Sequence, residues 1–309
     1  MSYAEESINA TGIATQDLRM PDFFIIGAAK SGTTTLYKYL CRHPKVFMST
    51  PKEMSYFSKD EVFERGVQWY ANLFADAKST QICGEASTTY SRWPLYEKTV
   101  ERLYAAQPDA KLIYLLRNPV DRAFSFYAHR MRENVTTSFE AFLESTPEAI
   151  DSGRYMTQIQ QYLEVFPEKQ LHLLFTSDMR EDPQATLASA GQFLGLADFD
   201  YLRDGPITAN EGGGKFYAGA ALTRTISSLK RTPVVSPLLR RLPSGLRKSG
   251  YDWLANGPVG KRLRRRHQHS MSNLTPELRQ RLQKIYLDEI EQLEAFTGRD
   301  LAAWKGEQT

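Results

Sequence analysis

The residue types best suited to chemistry lie in a short glycine-bearing loop near the start of the chain. This loop, Gly27-Ala28-Ala29-Lys30-Ser31-Gly32-Thr33, joins an apolar run that reads as a buried strand to a segment with a helical pattern. Backbone N–H groups at such a junction lie at the positive end of the helix dipole, where phosphate binds readily. Lys30 adds a positive charge inside the loop. Further donors come from Ser31, Gly32, Thr33 and Thr34. We therefore predict a phosphate site in this loop.

The spacing of the loop differs from that of the usual ATP- and GTP-binding loop. In that motif, G-x-x-x-x-G-K-[ST], lysine follows the second glycine, whereas Lys30 precedes Ser31-Gly32-Thr33. An ordinary glycine turn with a solvated lysine is the alternative. The strand before the loop and the threonine-rich helix start after it favour the phosphate site.

A second basic position follows the apolar run LIYLL. Arg117 ends this run, and Ser125 lies farther on in the next helical pattern. Nucleoside triphosphate enzymes commonly place an aspartate near such a strand end to hold Mg²⁺. A cation and a hydroxyl suit instead a second phosphate that no metal neutralises, as in a nucleotide with a separate 3′-phosphate. A lone surface arginine is the alternative interpretation.

Strands and helical patterns alternate along the first two thirds of the chain. We predict strands at 23–26, 81–85, 111–116 and 171–175, and helices at 34–40, 94–106, 120–132 and 183–194. This alternation predicts an α/β fold, a P-loop-like, mainly parallel sheet with helices on both faces.

The composition changes along the chain and predicts its organisation. Residues 1–20 are polar and predict a disordered tail, and residues 21–309 predict a single domain. Within that domain, 210–272 is a loop-rich basic segment, which makes an irregular C-terminal appendage. A helix over 275–298 follows, because Thr275 is a good N-cap and Gly298 a natural stop.

Eleven lysines and arginines lie between Lys230 and Arg266, against the single acid Asp252. A charge run is most often a solvated face, which is the leading interpretation. The alternative is a patch that attracts an anionic acceptor, a carrier protein or a membrane surface by peripheral contact. Nucleic acid is not an expected partner, because no recognised nucleic-acid module accompanies the patch.

The bulk composition favours a reducing compartment. The only two cysteines, Cys41 and Cys83, have no spacing typical of a disulfide framework or a zinc site. The N-terminus lacks an apolar core of signal-peptide length, and no run reaches the roughly 18 apolar residues that span a bilayer. We expect a cytoplasmic protein with no transmembrane segment.

Three segments in register resemble the sulfotransferases that use 3′-phosphoadenosine 5′-phosphosulfate (PAPS), and most closely their bacterial and glycan-directed branch. Gly27–Thr33 is similar to that family's 5′-phosphosulfate loop. Leu116–Arg122, which runs on to Ser125, is similar to its 3′-phosphate segment. Pro51-Lys52-Glu53, ahead of Tyr56-Phe57, is similar to the region that carries its catalytic glutamate.

The resemblance implies transfer of a sulfuryl group from PAPS to a hydroxyl or amine of a glycan, lipid, carrier-bound chain or small molecule. Adenosine 3′,5′-bisphosphate (PAP) would be the product, and no metal would be needed. Glu53 would be the general base, and Lys30 would stabilise charge on the bridging oxygen. Glu85 and Ser87 are secondary candidates, because a strand-end carboxylate can simply organise loops. The implied nucleotide-binding residues are Lys30, Ser31, Gly32, Thr33, Thr34, Arg117, Ser125 and, with a glycine-rich surface loop as an equal alternative, Lys215.

Two departures from the resemblance argue against a heparan-type acceptor. Relatives that act on such chains often have a histidine where this chain has Ser55, and commonly a lysine where it has Ala86. Two other functions stay open. One is a small-molecule kinase that uses ATP in the same strand–loop–helix, and the other is a non-catalytic binder of an anionic polymer or membrane.

Overall fold

The structure is a computed structural model of the 309-residue chain, and it describes residues 18–132, 137–207 and 274–306. Three sequence-based predictions fall wholly or largely outside the described residues. They concern the tail over 1–20, the basic segment over 210–272 and the role of Lys215.

A five-stranded parallel sheet forms the centre of the fold. Its strands are β1 (Phe23–Gly27), β2 (Val46–Met48), β3 (Ile82–Ala86), β4 (Lys111–Leu116) and β5 (Leu171–Phe175), in the order β2-β3-β1-β4-β5. The four predicted strands are confirmed to within one residue at each end. Strand β2 was not predicted, because three residues are too few to show a periodic pattern.

Helices occupy most of the remaining described chain. They are α1 (Thr33–Leu40), α2 (Asp60–Phe63), α3 (Val67–Ala71), α4 (Thr99–Ala106), α5 (Pro119–Arg132), α6 (Phe139–Ser145), α7 (Glu148–Asp151), α8 (Tyr155–Leu163), α9 (Thr176–Glu181), α10 (Pro183–Leu194), α11 (Pro276–Thr297) and α12 (Ala302–Lys305). The prediction for 94–106 was wrong at its start, because residues 94–98 form turns and the helix begins at Thr99, whose Oγ1 donates to the carbonyl oxygen of Tyr96 at 2.8 Å.

Side chains of β1 alternate between the two faces of the sheet, and both faces are covered. Phe23 and Ile25 belong to one apolar cluster together with Leu36 of α1 and Leu187 of α10. On the opposite face, the ring of Phe24 lies 5.7 Å from that of Phe57, centroid to centroid. On that same face, α8 contacts strand β4, because the ring of Tyr155 lies 5.9 Å from that of Tyr114. The predicted α/β fold with a parallel, doubly covered sheet is confirmed.

The chain divides into two compact units. The first contains the sheet and comprises Met1–Ala123, Thr146–Ala209 and Arg279–Thr309, and the second comprises Phe124–Ser145 and Asn210–Leu278. In the second unit, the rings of Tyr127 on α5 and Phe139 on α6 lie 5.1 Å apart. The assignment of residues 21–309 to one domain stays a prediction.

The helix predicted over 275–298 is confirmed as α11. The Oγ1 of Thr275 accepts a hydrogen bond from the N–H of Leu278 at 3.2 Å, as an N-cap does, and Gly298 ends the helix at a φ of 66°. Within the described ranges, no helix combines the length and apolar character that a membrane span needs.

Candidate active site

The loop after β1 is folded tightly against the end of the sheet. A Cβ atom on Gly27 would lie 1.9 Å from the Oγ of Ser91, so only glycine fits at this position. The N–H of Ala28 donates to the carbonyl oxygen of Leu115 on β4 at 2.9 Å. Gly32 then adopts a φ of 99°, and α1 begins after it without a side-chain cap. The N-terminus of α1 therefore offers backbone donors without competition from a capping side chain.

Lys30 and Arg117 are brought together at this end of the sheet. The Nη1 of Arg117 donates a hydrogen bond to the carbonyl oxygen of Lys30 at 3.2 Å. Lys30 itself adopts a φ of 71°, a left-handed conformation that costs a non-glycine residue about 1–3 kcal/mol. Arg117 is thus in contact with the backbone of the loop residue that carries the other predicted cation, although the two residues lie 87 residues apart in the sequence.

Hydrogen bonds at and next to its backbone fix the position of Arg117. The Oη of Tyr155, at the start of α8, donates to the carbonyl oxygen of Arg117 at 2.6 Å. The next residue, Asn118, accepts from the N–H of Val120 at 3.0 Å through its Oδ1 and so begins α5. Burial lowers the pKa of the Arg117 guanidinium from its ordinary value, while nearby Asp121 opposes that effect. The group stays a cation at every physiological pH.

Thr176 ties the loop to the ends of two strands. Its Oγ1 lies 2.7 Å from the carbonyl oxygen of Ser31 and 2.8 Å from that of Leu116, and its single proton can serve one of them at a time. Because Thr176 immediately follows β5, the loop after β1, the end of β4 and the end of β5 are linked at the carboxyl edge of the sheet. Ligands of open α/β sheets bind at this edge.

Glu53 lies at the same edge, beyond the end of β3. Its N–H donates to the carbonyl oxygen of Ala86 at 2.9 Å. The carboxylate accepts from both the N–H and the Oγ1 of Thr88, at 2.8 and 3.1 Å from Oε2, and forms an ion pair with Lys52. The Glu53 side chain is 39% exposed, and the backbone of this residue adopts a φ of 66°. The carboxylate is therefore fixed in orientation and still open to solvent.

Glu85 and Ser87, the secondary candidates, are both fully buried. Glu85 lies on β3, and burial raises the pKa of its carboxyl above the ordinary value, although the surrounding hydroxyl donors oppose that effect. A general base must lie within hydrogen-bond reach of the substrate, whereas Glu85 is fully enclosed by protein. Glu85 is therefore placed to organise the site, while Glu53 is placed to meet a substrate.

The remaining predicted residues fall as follows. Ser31 is fully buried and Thr33 nearly so, while Gly32 and Thr34 are exposed at the start of α1. Ser125 is half-buried on α5. Thr88, Thr176 and Tyr155 were not predicted from the sequence. A hydroxyl residue just after a predicted strand end was a usable signal for both threonines, whereas nothing local marks Tyr155.

In the described part of the chain, no three His, Cys, Asp or Glu side chains are grouped as a metal site would require. The donor set around the loop consists of backbone N–H groups, hydroxyls, an ammonium and a guanidinium. Such groups donate hydrogen bonds or carry positive charge, as the binding of an oxyanion requires. The residues present therefore fit a nucleotide with two separate phosphate-type groups.

Comparison with known proteins defines the class. The family model for the sulfotransferase domain matches residues 20–204, which is more than half of the chain. The chain belongs to the sulfotransferase domain family. A crystal structure of a sulfotransferase from Alicyclobacillus acidocaldarius is similar over 93% of this chain and 99% of its own, with 27% sequence identity and a TM-score of 0.64.

Curated relatives are similar over a shorter part of the chain. Human bifunctional heparan sulfate N-deacetylase/N-sulfotransferase 2 is 32% identical over 208 residues, which is 60% of this chain and 23% of that protein. Human heparan sulfate glucosamine 3-O-sulfotransferase 6 is 32% identical over 189 residues, 58% of this chain and 53% of that protein. The chain therefore spans about a quarter to a half of the length of these relatives.

Proposed function

We propose that this protein transfers a sulfuryl group from PAPS to a hydroxyl or amine of an acceptor. The observation that carries the proposal is the joint placement of Lys30, Arg117 and Glu53 at one edge of the sheet. The first two are cations for an anionic donor, and the third is a carboxylate for an acceptor proton. Family membership supports the reaction class.

The donor-binding roles follow from the loop geometry. Backbone donors over residues 32–34 bind the 5′-phosphate, and Arg117 binds the 3′-phosphate, where its planar guanidinium can donate two parallel hydrogen bonds. Lys30 contributes an ammonium next to the bridging oxygen. When bound, PAPS supplies the sulfuryl group and leaves as PAP. The roles of Ser125 and Lys215 stay predictions from the sequence.

Glu53 is the base in this proposal. Thr88 holds one carboxylate oxygen from two directions and so fixes its orientation. The exposed carboxylate then accepts the acceptor proton as the acceptor attacks, a contribution of roughly 10²- to 10⁴-fold in rate for a positioned base. A fixed orientation is what general-base catalysis requires, because proton transfer needs hydrogen-bond geometry in the transition state.

A glycan is the acceptor class that we propose. The names of the curated relatives refer to heparan sulfate, a glycan. Ser55 and Ala86 still argue for an acceptor other than heparan-type chains. We also propose that the protein acts in the cytoplasm, where an exposed free thiol such as that of Cys41 is stable.

Two measurements test the proposal. Thermal unfolding with PAP should raise the Tm in a concentration-dependent way, whereas ATP–Mg²⁺ at equal concentration should raise it much less. Incubation with sulfur-labelled PAPS and a panel of glycans, lipids and small alcohols should then transfer label to at least one acceptor. Stabilisation by ATP–Mg²⁺ alone would favour a kinase, and binding of an anionic polymer without any nucleotide effect would favour a non-catalytic binder.

A further inference from the structure

A buried carboxylate lies at the centre of a hydroxyl network beneath Glu53. Glu85 is 0% exposed, and its Oε2 accepts hydrogen bonds from the Oη of Tyr70 at 2.7 Å and from the Oη of Tyr90 at 2.5 Å. Its Oε1 accepts from the Oγ of Ser87. The two oxygens of a carboxylate have enough lone pairs to accept all three of these hydrogen bonds.

Two of these hydroxyls connect Glu85 to the backbone that follows Glu53. The N–H of Ser55 donates to the Oγ of Ser87 at 2.8 Å, and the N–H of Phe57 approaches the Oη of Tyr90 at 3.4 Å. Ser55 adopts a φ of 57°, a conformation that a serine keeps only where its surroundings hold it. The segment that carries Glu53 is therefore attached to the buried carboxylate at two points.

The direction of these hydrogen bonds makes the attachment depend on Glu85 as an acceptor. A serine hydroxyl has one proton, and Ser87 donates it to Glu85. The oxygen lone pairs of Ser87 then point away from Glu85 and accept the N–H of Ser55. Donation to a carboxylate also strengthens the hydroxyl as an acceptor, since successive hydrogen bonds polarise one another. Without Glu85 the hydroxyl can rotate, and the N–H of Ser55 loses a fixed partner.

The neighbour of Ser87 completes the connection to the base. Thr88 holds the Glu53 carboxylate through its N–H and its Oγ1. Residues 85–88 thus bear the buried anchor, the connecting hydroxyl and the clamp on the base in four consecutive positions. A displacement of this turn moves the clamp and the Glu53 backbone together.

We propose that Glu85 is a positioning residue for sulfuryl transfer, which acts through Ser87 to hold Glu53 in its productive orientation. The inference rests on the proposed function, since it assigns Glu53 as the base. It predicts a defect in turnover with normal donor binding, because the contacts of Lys30 and Arg117 lie on other strand ends.

Two single-hydroxyl deletions separate positioning from plain stability. Ser87→Ala and Tyr70→Phe each remove one hydrogen bond to Glu85, but only Ser87 also accepts the N–H of Ser55. For each purified variant we would measure the Tm, the Kd for PAP, and kcat and KM for label transfer at saturating PAPS. Both variants should lose thermal stability, because each leaves a buried carboxylate one donor short.

The expected kinetic results differ between the two variants. Ser87→Ala should lower kcat about 10-fold or more with the Kd for PAP within about twofold of wild type, since a hydrogen bond in a charged network has that order of effect. Tyr70→Phe should keep kcat within about threefold. Glu85→Gln, which keeps the shape and removes the charge, should follow Ser87→Ala and is the second arm if Ser87→Ala does not fold.

Other outcomes of these measurements would contradict the inference. Equal kcat for Ser87→Ala, Tyr70→Phe and wild type would overturn the inference, and so would losses of kcat that simply follow the losses of Tm. A wild-type protein that transfers no label from PAPS would remove the proposed function, and this inference with it. Wild-type turnover is measured first, so the two failures are distinguishable.

Discussion

The two halves of the candidate site are built in opposite ways. The phosphate half consists of the loop after β1 and Arg117, and it presents cations and backbone donors at the surface of the sheet edge. The carboxylate half consists of Glu53, Glu85 and the turn at 87–90, and it combines the fully buried carboxyl group of Glu85 with the exposed one of Glu53. One half binds an anion with preset geometry, while the other orients a single reactive group.

The difference lies in where each half obtains its rigidity. The phosphate half gets much of it locally, from the tight turn at Gly27 and the helix that begins after Gly32. The carboxylate half gets it from side-chain hydrogen bonds between segments that are 32 and 35 residues apart, Ser55 to Ser87 and Glu53 to Thr88. Changes in the first half should therefore affect nucleotide affinity, and changes in the second should affect turnover.

The largest expected effect is on the carboxylate half. Glu53→Gln should lower kcat by about 10²- to 10⁴-fold, because an amide cannot accept the acceptor proton. The Gln side-chain oxygen can still accept the N–H of Thr88, so the Kd for PAP should stay within about twofold of wild type. Label transfer under single-turnover conditions, beside isothermal titration with PAP, measures the two quantities.

The matched control for that substitution is Glu61→Gln on α2, where the same change is made at an exposed position. It should leave kcat and the Kd for PAP unchanged. Full turnover by Glu53→Gln would remove this residue as the base. A parallel loss of PAP affinity would show instead that the two halves are not separable.

The phosphate half was readable from the sequence because its signals are contiguous. Gly27, Lys30 and Gly32 lie within six residues, and Arg117 lies directly after a five-residue apolar run. The strands β1, β3, β4 and β5 were also predictable from such runs. Strand β2, with three residues, was not, and neither was the late start of α4 at Thr99.

The carboxylate half could be predicted only in part. A resemblance to known motifs pointed to Glu53, and its position after Pro51-Lys52 was visible. The roles of Ser87 and Thr88 depend on which segment packs beside β3 in the folded chain. Residue spacing does not encode that tertiary pairing. For the same reason, a buried carboxylate such as Glu85 cannot be distinguished from a solvated one before the sheet is known.

A smaller effect is expected in the phosphate half. Arg117→Ala should weaken the binding of PAP about 10- to 100-fold, the order expected for loss of charge-assisted hydrogen bonds to a phosphate. Arg117→Lys keeps the charge but not the bidentate geometry, and it should give an intermediate loss. At saturating PAPS, kcat should change little in Arg117→Lys, because this contact binds ground state and transition state alike.

Isothermal titration with PAP and initial rates over a range of PAPS concentrations check this second prediction. Unchanged PAP affinity in Arg117→Ala would show that the guanidinium does not bind the nucleotide. A fall in kcat without a change in affinity would place Arg117 in the reaction itself, and the contrast between the two halves would then disappear.

The smallest effect concerns the pH dependence of the free energy of unfolding. It distinguishes the halves because the carboxyl group of Glu85 can titrate, whereas Arg117 stays a cation. Burial raises the pKa of the Glu85 carboxyl above its ordinary value of 4.5, so the folded protein holds this proton more tightly than the unfolded chain does. The stabilisation is fully present below the unfolded pKa and is lost as the pH rises through the folded pKa. Glu85→Gln has no such titration.

The free energy of unfolding of Glu85→Gln, relative to that of wild type, should therefore increase as the pH rises from about 4 to 8, whatever constant offset the amide introduces. Urea unfolding of both proteins at a series of pH values measures this difference. Arg117→Lys is the control from the phosphate half, and its difference from wild type should stay flat, because arginine and lysine are both charged throughout this range. If the difference in free energy of unfolding between Glu85→Gln and wild type stayed flat or fell with pH, the hydroxyl donors would outweigh burial. The ionised carboxylate of Glu85 would then be stabilised in the fold at least as well as in water.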